Sequence, residues 1–327
     1  MKKQLILTAA VLALAACSND ESLNPNDGPV EIRLSSGIEV QTRAMHNLDT
    51  QLGDGERVHV WVDDATTNAA LYENNILEKG NGGTLSGGTV MYFPQTGNNV
   101  DIYALHGNVT LADNAYPEGT ELTHTVADDQ SSSIATVGGG YQGSDLVYAK
   151  IENQGRTNVP TTATLNFHHL LSKIEVVLIQ GQGDGDFLGR ISSLQVLNTR
   201  PTANFTLTKA GAAYGANADQ TDGIEVEASG NPTAIALDTD ISTSSMEVLN
   251  EAIIVPQQIN AGTQFIQVSL TDGAKFIYNL ENTTTFESGK KYKYTITVRE
   301  TGLEVQSQIS DWTDGGSNEG YAQEVVD

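Results

Sequence analysis

The stretch from Val30 to Ala44, VEIRLSSGIEVQTRA, alternates between apolar and polar residues. A period of two places successive side chains on opposite faces of a β-strand. The pattern therefore predicts an early strand with one buried face and one solvent face. The apolar side chains of the buried face are Val30, Ile32, Leu34, Ile38 and Val40.

A candidate processing site follows this strand. Arg43 precedes the small residue Ala44 and then a loop-like segment, MHNLDTQLGDG. A trypsin-like protease that cut between Arg43 and Ala44 would remove the whole strand. Each buried aliphatic side chain contributes about 1.5–3 kcal/mol, so losing five would cost on the order of 10 kcal/mol. This loss is comparable to the whole stability of a typical domain, about 5–15 kcal/mol.

A domain cut in this way would need a new strand in the vacated groove, and a second subunit is the natural source of one. The alternative interpretation is an ordinary first strand followed by an arginine in a loop. In that case the strand stays in the sheet and the arginine has no special role.

The first 16 residues have the features of a lipoprotein signal peptide. Lys2 and Lys3 precede an apolar run from Leu5 to Ala16, which is shorter than a membrane span of about 20 residues. The run ends LAAC, which resembles a bacterial lipobox, so Cys17 would become the lipidated first residue. A plain secretory signal with an incidental cysteine is the alternative. Since Cys17 is the only cysteine, the chain forms no intramolecular disulfide.

Short apolar or alternating runs recur between turn residues throughout the rest of the chain. Examples are RVHVWV over 57–62, LLSKIEVVLI over 170–179 and KYKYTITV over 291–298. Outside the signal peptide, helical spacing is limited to a short run near 244–250. Consecutive strands with short turns and no crossover helices predict an all-β fold of antiparallel sandwiches.

Two tandem β-sandwich domains are expected, because about 280 residues follow Arg43 and one sandwich is smaller than that. The polar segment ENQGRTNVPTT marks the expected boundary between them. The predicted parts are the signal peptide 1–16, the tether and removable strand 17–43, the domains 44–161 and 162–312, and the C-terminal tail 313–327.

The charge balance narrows the choice of partners. The chain has 17 Lys and Arg against 41 Asp and Glu, a net charge of −24. A surface this acidic repels nucleic acid and anionic lipid surfaces, so nucleic acid is not expected as a partner.

No residue constellation predicts an enzyme, a metal site or a cofactor. His168 and His169 are the only adjacent histidines, and neighbours on a strand point to opposite faces, so they cannot share one metal. The sequence lacks a phosphate loop, a Gly-x-Ser-x-Gly elbow and a second cysteine. Trp61, Tyr116 and Tyr141 could stack on sugars, but isolated strand aromatics more often pack in a core.

Several motifs, in order along nearly the whole chain, resemble the fimbrillin family of lipoprotein-derived type V pilus subunits (major-fimbrillin/Mfa-like). These motifs are the lipobox at Cys17, TRA at 42–44, FHH at 167–169 leading into KIEVV, YKYTITV at 292–298 and EVQSQISDW at 304–312. The resemblance implies two transthyretin-like sandwiches, a lipid anchor and export to the outer membrane and cell surface. It also implies cleavage of the Arg43–Ala44 bond by an arginine-specific surface protease.

The resemblance further implies assembly with other fimbrial subunits by donor-strand exchange. The donor would come from the tail, with Tyr321, Val325 and Val326 as its apolar residues. This tail is more polar and richer in glycine than an alternating donor strand, which leaves stalk, tip and non-polymerising roles open. The alternative function is a permanently anchored outer-membrane lipoprotein that binds a glycan or a host protein.

Overall fold

In the computed structural model, the described residues are 28–37, 52–131, 140–156, 162–181, 190–209, 224–247, 250–299, 302–312 and the backbone of 322–325. Their regular structure is almost entirely β-strand. The helices among them are one turn of α-helix, α1 at Gly140–Gly143, and a 3-10 turn at Asn81–Gly83. Neither is long or apolar enough to cross a membrane.

The first half of the chain contributes nine strands. They are β1 Arg33–Ser36, β2 Arg57–Asp64, β3 Ala70–Lys79, β4 Thr84–Ser86, β5 Val100–His106, β6 Glu121–Thr125, β7 Val147–Gln154, β8 Thr162–Leu165 and β9 His168–His169.

The second half contributes thirteen more among the described residues. They are β10 Ser172–Gln180, β11 Ile191–Thr199, β12 Thr202–Thr206, β13 Val226–Ser229, β14 Thr233–Leu237, β15 Asn250–Ile254, β16 Gln257–Ile259, β17 Gln264–Leu270, β18 Lys275–Asn279, β19 Thr284–Phe286, β20 Lys290–Arg299, β21 Gly302–Asp311 and β22 Ala322–Val325.

The first sheet has eight strands in the order β8-β1-β4-β3-β2-β5-β7-β9. Its two ends share one hydrophobic core, so the sheet curves around that core. Leu34 of β1 and Leu165 of β8, at one end, belong to the same cluster as Val147 and Ala149 of β7, near the other end. The cluster also contains Val58, Val60 and Val62 of the central strand β2. These three valines are fully buried, as the alternation in β2 predicts.

The second half forms a β-sandwich. A five-stranded sheet, β15-β10-β20-β21-β22, and a four-stranded sheet, β14-β11-β17-β18, enclose a common core. Ile174 and Ile296 come from the five-stranded sheet, whereas Val196 and Phe265 come from the other. The short pair β16-β19 adds Phe286, whose ring packs 5.1 Å from that of Phe265.

A third sheet, β13-β12-β6, combines strands from both halves of the sequence. Phe205 of β12 belongs to the same hydrophobic cluster as Trp61 and Tyr148, which lie on the outer face of the first sheet. The two halves therefore share packed side chains as well as a covalent connection.

The predicted all-β fold with two sandwich-like halves is confirmed, with differences in detail. Two strand pairs are parallel rather than antiparallel, β1 with β8 and β10 with β20. In addition, β8 and β9 follow the expected boundary at residue 162 but pair within the first sheet. Residues 162–169 return to close that sheet, and an apolar pattern does not specify which sheet a strand joins.

The segment 74–88 is rich in Asn and Gly, a composition that predicts a loop, but it contains the end of β3 and all of β4. Two inward positions of β3 are polar, so the strand lacks the expected alternation. The side chain of Asn75 both accepts from the backbone N–H of Thr89 and donates to its carbonyl, each at 2.8 Å. The Lys79 ammonium lies 2.6 Å from the Asp54 carboxylate, while Ile76 faces solvent.

Candidate assembly site

Strand β1 is an interior strand of the first sheet, held on both sides. It runs parallel to β8, with Leu34 opposite Ala163, and antiparallel to β4, with Leu34 opposite Leu85. The backbone N–H of Gly37 donates to the Leu165 carbonyl at 3.0 Å and extends the parallel ladder. A strand in this position shields the polar backbone groups of both neighbours.

The segment just before β1 is also paired, although it is not a regular strand. The Ile32 N–H donates to the Met91 carbonyl at 2.8 Å, and the Phe93 N–H donates to the Val30 carbonyl at 2.9 Å. Glu31 and Tyr92 form an isolated antiparallel bridge between these bonds. The segment Thr89 to Phe93, whose apolar residues before Pro94 predict a strand, pairs here only through this short bridge.

The two faces of the segment differ as the alternation predicts. Ile32 is 4% exposed and Leu34 2% exposed, and both lie in the core of the first sheet with the partly buried Val30. Glu31 and Arg33 lie on the outer face, where they form an exposed ion pair at 2.9 Å. The segment is therefore held by apolar packing on one face and by backbone pairing at its edges.

The last inward position of β1 is narrow and polar. Ser36 is 2% exposed, and its hydroxyl donates to the Gly83 carbonyl at 3.2 Å. Gly83 is itself buried and has a positive φ of 81°, a conformation that favours glycine. The inward sequence along the strand is therefore two large aliphatic groups followed by a small hydroxyl.

Removing β1 would expose two facing strand edges, one on β4 and one on β8. Unpaired strand edges bind another strand readily. The groove between them would also expose the core positions that Ile32 and Leu34 fill. Such a groove is a receptor for an extended segment.

The remaining residues of the predicted processing region are Cys17, Ile38, Val40, Arg43 and Ala44, all of which lie outside the described residues.

Comparison with known proteins identifies the family. The sequence profile described as fimbrillin-like matches residues 42–312, most of the chain. This chain belongs to the fimbrillin-like family. Membership groups it with structural subunits of fimbriae, which are cell-surface appendages, rather than with enzymes.

One relative and two solved structures illustrate what this fimbrillin-like chain resembles. Fim1C, a candidate fimbrium subunit of Bacteroides uniformis, is 28% identical over 341 residues, covering 99% of this chain and 100% of the relative. A solved candidate cell adhesion protein of Bacteroides ovatus has a TM-score of 0.59 at 17% identity, covering 88% of this chain and 98% of that one. The truncated tip fimbrial protein Mfa3 of Porphyromonas gingivalis has a TM-score of 0.50 at 10% identity, covering 87% and 100%. The two solved structures show a shared fold.

The tail strand of this fimbrillin-like chain, β22, lies in a different sheet from β1. β22 pairs antiparallel with β21 at the edge of the five-stranded sheet, with Val325 opposite Gln306 and Ala322 opposite Ile309. Tyr321 and Val326 lie outside the described residues. The structure thus places the predicted donor strand on its own domain and does not bring it to the β1 position.

Of the two adjacent histidines, His169 makes contacts typical of a structural residue in a protein core. His169 is buried, its Nδ1 lies 3.0 Å from the Asp145 carboxylate, and its ring stacks on Trp312 at 3.6 Å with an interplanar angle of 8°. Burial alone would raise the pKa of Asp145, but the neighbouring imidazole and the hydrogen bonds hold that pKa below its usual value. Within the described part of the chain, no group of three potential ligands is placed to hold a metal ion.

The aromatic residues considered for sugar stacking are buried. Tyr141 is fully buried, and Trp61 is 1% exposed with Tyr116 packed edge-on at 5.4 Å. Trp61 and Tyr116 border a cavity of about 350 Å³, but the Lys209 ammonium lies 5.1 Å over the Tyr116 ring and 2.5 Å from Asp63. These rings offer no open face to a sugar.

Proposed function

We propose that this chain is a structural subunit of cell-surface fimbriae, exported as a lipoprotein and polymerised by donor-strand exchange. Cys17 carries the lipid and anchors the precursor in the outer membrane. An arginine-specific surface protease then cuts between Arg43 and Ala44. The strand that contains Ile32 and Leu34 leaves, and a strand from another fimbrial subunit takes its place.

The position of β1 carries this proposal. A cut at the Arg43–Ala44 bond would separate β1 from the rest of the chain, because β1 precedes the bond and all later strands follow it. The strand would then be held only by noncovalent contacts, chiefly its backbone pairing, the packing of Ile32 and Leu34, and the hydrogen bond from Ser36 to Gly83. These are the interactions that a replacement strand can reproduce.

The extent of the family match also supports the proposal. The match begins at Thr42, beside the proposed cleavage bond, and ends at Trp312, just before the tail. The removable strand, within residues 1–41, and the tail, 313–327, therefore both lie outside the part shared with the family profile. Donor-strand exchange needs one segment that leaves and one that is donated.

The N-terminus of the assembled protein tests the cleavage step. Cells that express the wild-type chain should yield surface filaments whose subunits begin at Ala44. Arg43→Gln should leave the strand attached, with lipidated Cys17 at the N-terminus and no polymer. The matched control is Arg33→Gln, an exposed arginine ten residues earlier that should be processed normally.

Two outcomes would contradict the proposal. Filaments built from Arg43→Gln subunits with β1 still attached would rule out strand removal. A wild-type surface protein that retains lipidated Cys17 and never loses β1 would instead indicate the permanently anchored lipoprotein. Cys17→Ala, followed by metabolic labelling with a fatty acid, tests the anchor separately and should abolish incorporation.

A further inference from the structure

We infer that the groove left by β1 accepts a strand from a different subunit, and that the tail 313–327 of a second copy of this chain does not fit it. The inference rests on the proposed function and specifies the partner. The incoming segment has large aliphatic residues at two successive inward positions and a small hydroxyl residue at the next one. In filaments that contain this chain, the strand in its groove therefore comes from another type of subunit.

The first requirement comes from the buried face of β1. Ile32 and Leu34 are two residues apart, both almost fully buried, and both lie in the core of the first sheet. A replacement must fill both positions at once, because an empty or polar position there leaves a cavity or an unpaired polar group in an apolar core. The outer positions place little restriction on the sequence of the incoming strand, since Glu31 and Arg33 are exposed and pair with each other.

The second requirement comes from the end of the strand. Ser36 is buried and its hydroxyl donates to the carbonyl of Gly83. A large side chain at this position would displace the buried glycine turn and lose the hydrogen bond. The groove therefore distinguishes its two ends, with wide apolar positions first and a narrow polar one last.

The tail cannot meet the first requirement in any register or direction, so it cannot meet both together. Residues 321–327 read YAQEVVD, and residues 313–320 read TDGGSNEG. One alternating set contains Tyr321, Gln323 and Val325, and the other contains Ala322, Glu324 and Val326. In both sets a polar residue separates the apolar ones, so no two successive inward positions are both large and apolar. This argument does not depend on which way the donor runs.

Burial of Gln323 or Glu324 in the groove would leave an amide or a carboxylate in the position of Ile32 or Leu34. Such groups are costly to bury without hydrogen-bond partners. The tail strand also has another place in the structure, since the backbone of residues 322–325 pairs with residues 306–309 of its own domain.

Peptide displacement on the cleaved protein tests the inference. The full chain is prepared with residues 41–46 replaced by the recognition site of a site-specific protease, and it is cut so that β1 remains bound without a covalent link. Labelled β1 is then displaced by unlabelled peptides and followed by fluorescence anisotropy. The peptides are a copy of residues 28–37, the same copy with Ile32→Gln, a copy of 313–327, and that tail copy with Gln323→Ile.

The copy of residues 28–37 should displace the label. The Ile32→Gln copy and the native tail should each bind at least about tenfold more weakly than this copy. The Gln323→Ile tail should bind about tenfold more tightly than the native tail. If the affinity of the native tail is within about threefold of that of the β1 copy, this inference is wrong but the proposed function stands. If the β1 copy itself never exchanges, the removal of β1 fails, and the proposed function fails with it.

Discussion

The first strands of the two halves, β1 and β10, occupy equivalent positions but are held in different ways. Each lies between one antiparallel neighbour and one parallel neighbour, β4 and β8 for the first, β15 and β20 for the second. However, β1 has four residues, whereas β10 has nine and pairs with β20 over eight of them. The same arrangement therefore holds one strand weakly and the other strongly.

The side chains increase this difference. On β10, the Lys173 ammonium is fully buried, 2.7 Å from the Glu251 carboxylate and 3.3 Å from that of Glu175. A buried ion pair favours one register, because any shift leaves a charge unpaired in the interior. On β1 the ion pair between Arg33 and Glu31 is exposed, and the buried groups are aliphatic apart from the Ser36 hydroxyl. Many alternating strands can supply aliphatic groups, so β1 is the strand that can be exchanged.

The largest expected effect is on β10. Lys173→Met should lower the free energy of unfolding by about 3–5 kcal/mol, because it leaves the Glu251 carboxylate buried without its cation. Lys291→Met, which removes a partly exposed cation 3.6 Å from Glu175, is the matched control and should cost less than about 1 kcal/mol. Urea unfolding measures both. A Lys173→Met cost as small as the control would show that the ion pair does not fix β10.

The corresponding change on β1 is Leu34→Ala, which should cost about 3–4 kcal/mol through the cavity it leaves. Ser35→Ala, which removes an outward hydroxyl 3.3 Å from that of Thr164, should cost less than about 0.5 kcal/mol. After cleavage and replacement of β1 by a donor, the Leu34→Ala and wild-type bodies should be equally stable. A persistent difference would mean that β1 had not left.

Acid should weaken the first half through His124. The backbone N–H of Asn108 donates to Nδ1 at 2.9 Å, and Nε2 lies 2.9 Å from the Ser144 carbonyl, so the buried ring is neutral. Burial lowers the pKa of His124 from 6.5 to about 4. The unfolded chain therefore takes up a proton first, and stability present above pH 6.5 is lost as the pH falls toward 4, by up to about 3 kcal/mol.

Unfolding of the wild type and of His124→Gln at pH 7.0, 5.5 and 4.5 would measure this effect. The variant should lose the part of the pH dependence that lies between the two pKa values. His59→Gln, at a partly exposed histidine on β2, is the control and should follow the wild type. The explanation fails if His124→Gln keeps the full wild-type slope.

The smallest expected effect is on the exposed ion pair of β1. Arg33→Ala should change the free energy of unfolding by no more than about 0.5 kcal/mol, because an exposed pair is screened by solvent. It should also leave peptide displacement from the cleaved protein unchanged. A cost above about 1.5 kcal/mol would mean that charge as well as apolar packing holds β1.

Alternation made the apolar strands predictable. β20 follows it closely, the valines of β2 share one buried face, and Ile32 and Leu34 of the candidate site are buried as that pattern predicts. β10 and β17 are instead buried on both faces, and their apolar runs rather than alternation made them recognisable. β3 and β6 were not predicted, because polar side chains with dedicated partners occupy inward positions, Asn75 in one and His124 in the other. A search for alternation treats such residues as signs of a loop.

Which strands become neighbours could not be predicted in the same way. Hydrophobic periodicity gives the buried face of a strand, but both edges of β1 bond through the backbone, which every residue carries. Its parallel pairing with β8 joins Leu34 to a segment 129 residues later, Ala163. The polar end of the site at Ser36 was missed for a related reason, since serine at the end of an apolar run suggests a turn until the Gly83 carbonyl is seen beside it.

The stack between His169 and Trp312 has a mechanical consequence. Trp312 is the last residue before the tail, and its partner His169 belongs to the edge strand of the first sheet. If filaments assemble through the tail as proposed, with β22 withdrawn from β21, a filament pulled by its ends would load each subunit through the tail and the tension would reach the Trp312 indole first. Part of that tension then passes directly into the other half of the molecule through two stacked rings, without crossing the second sandwich.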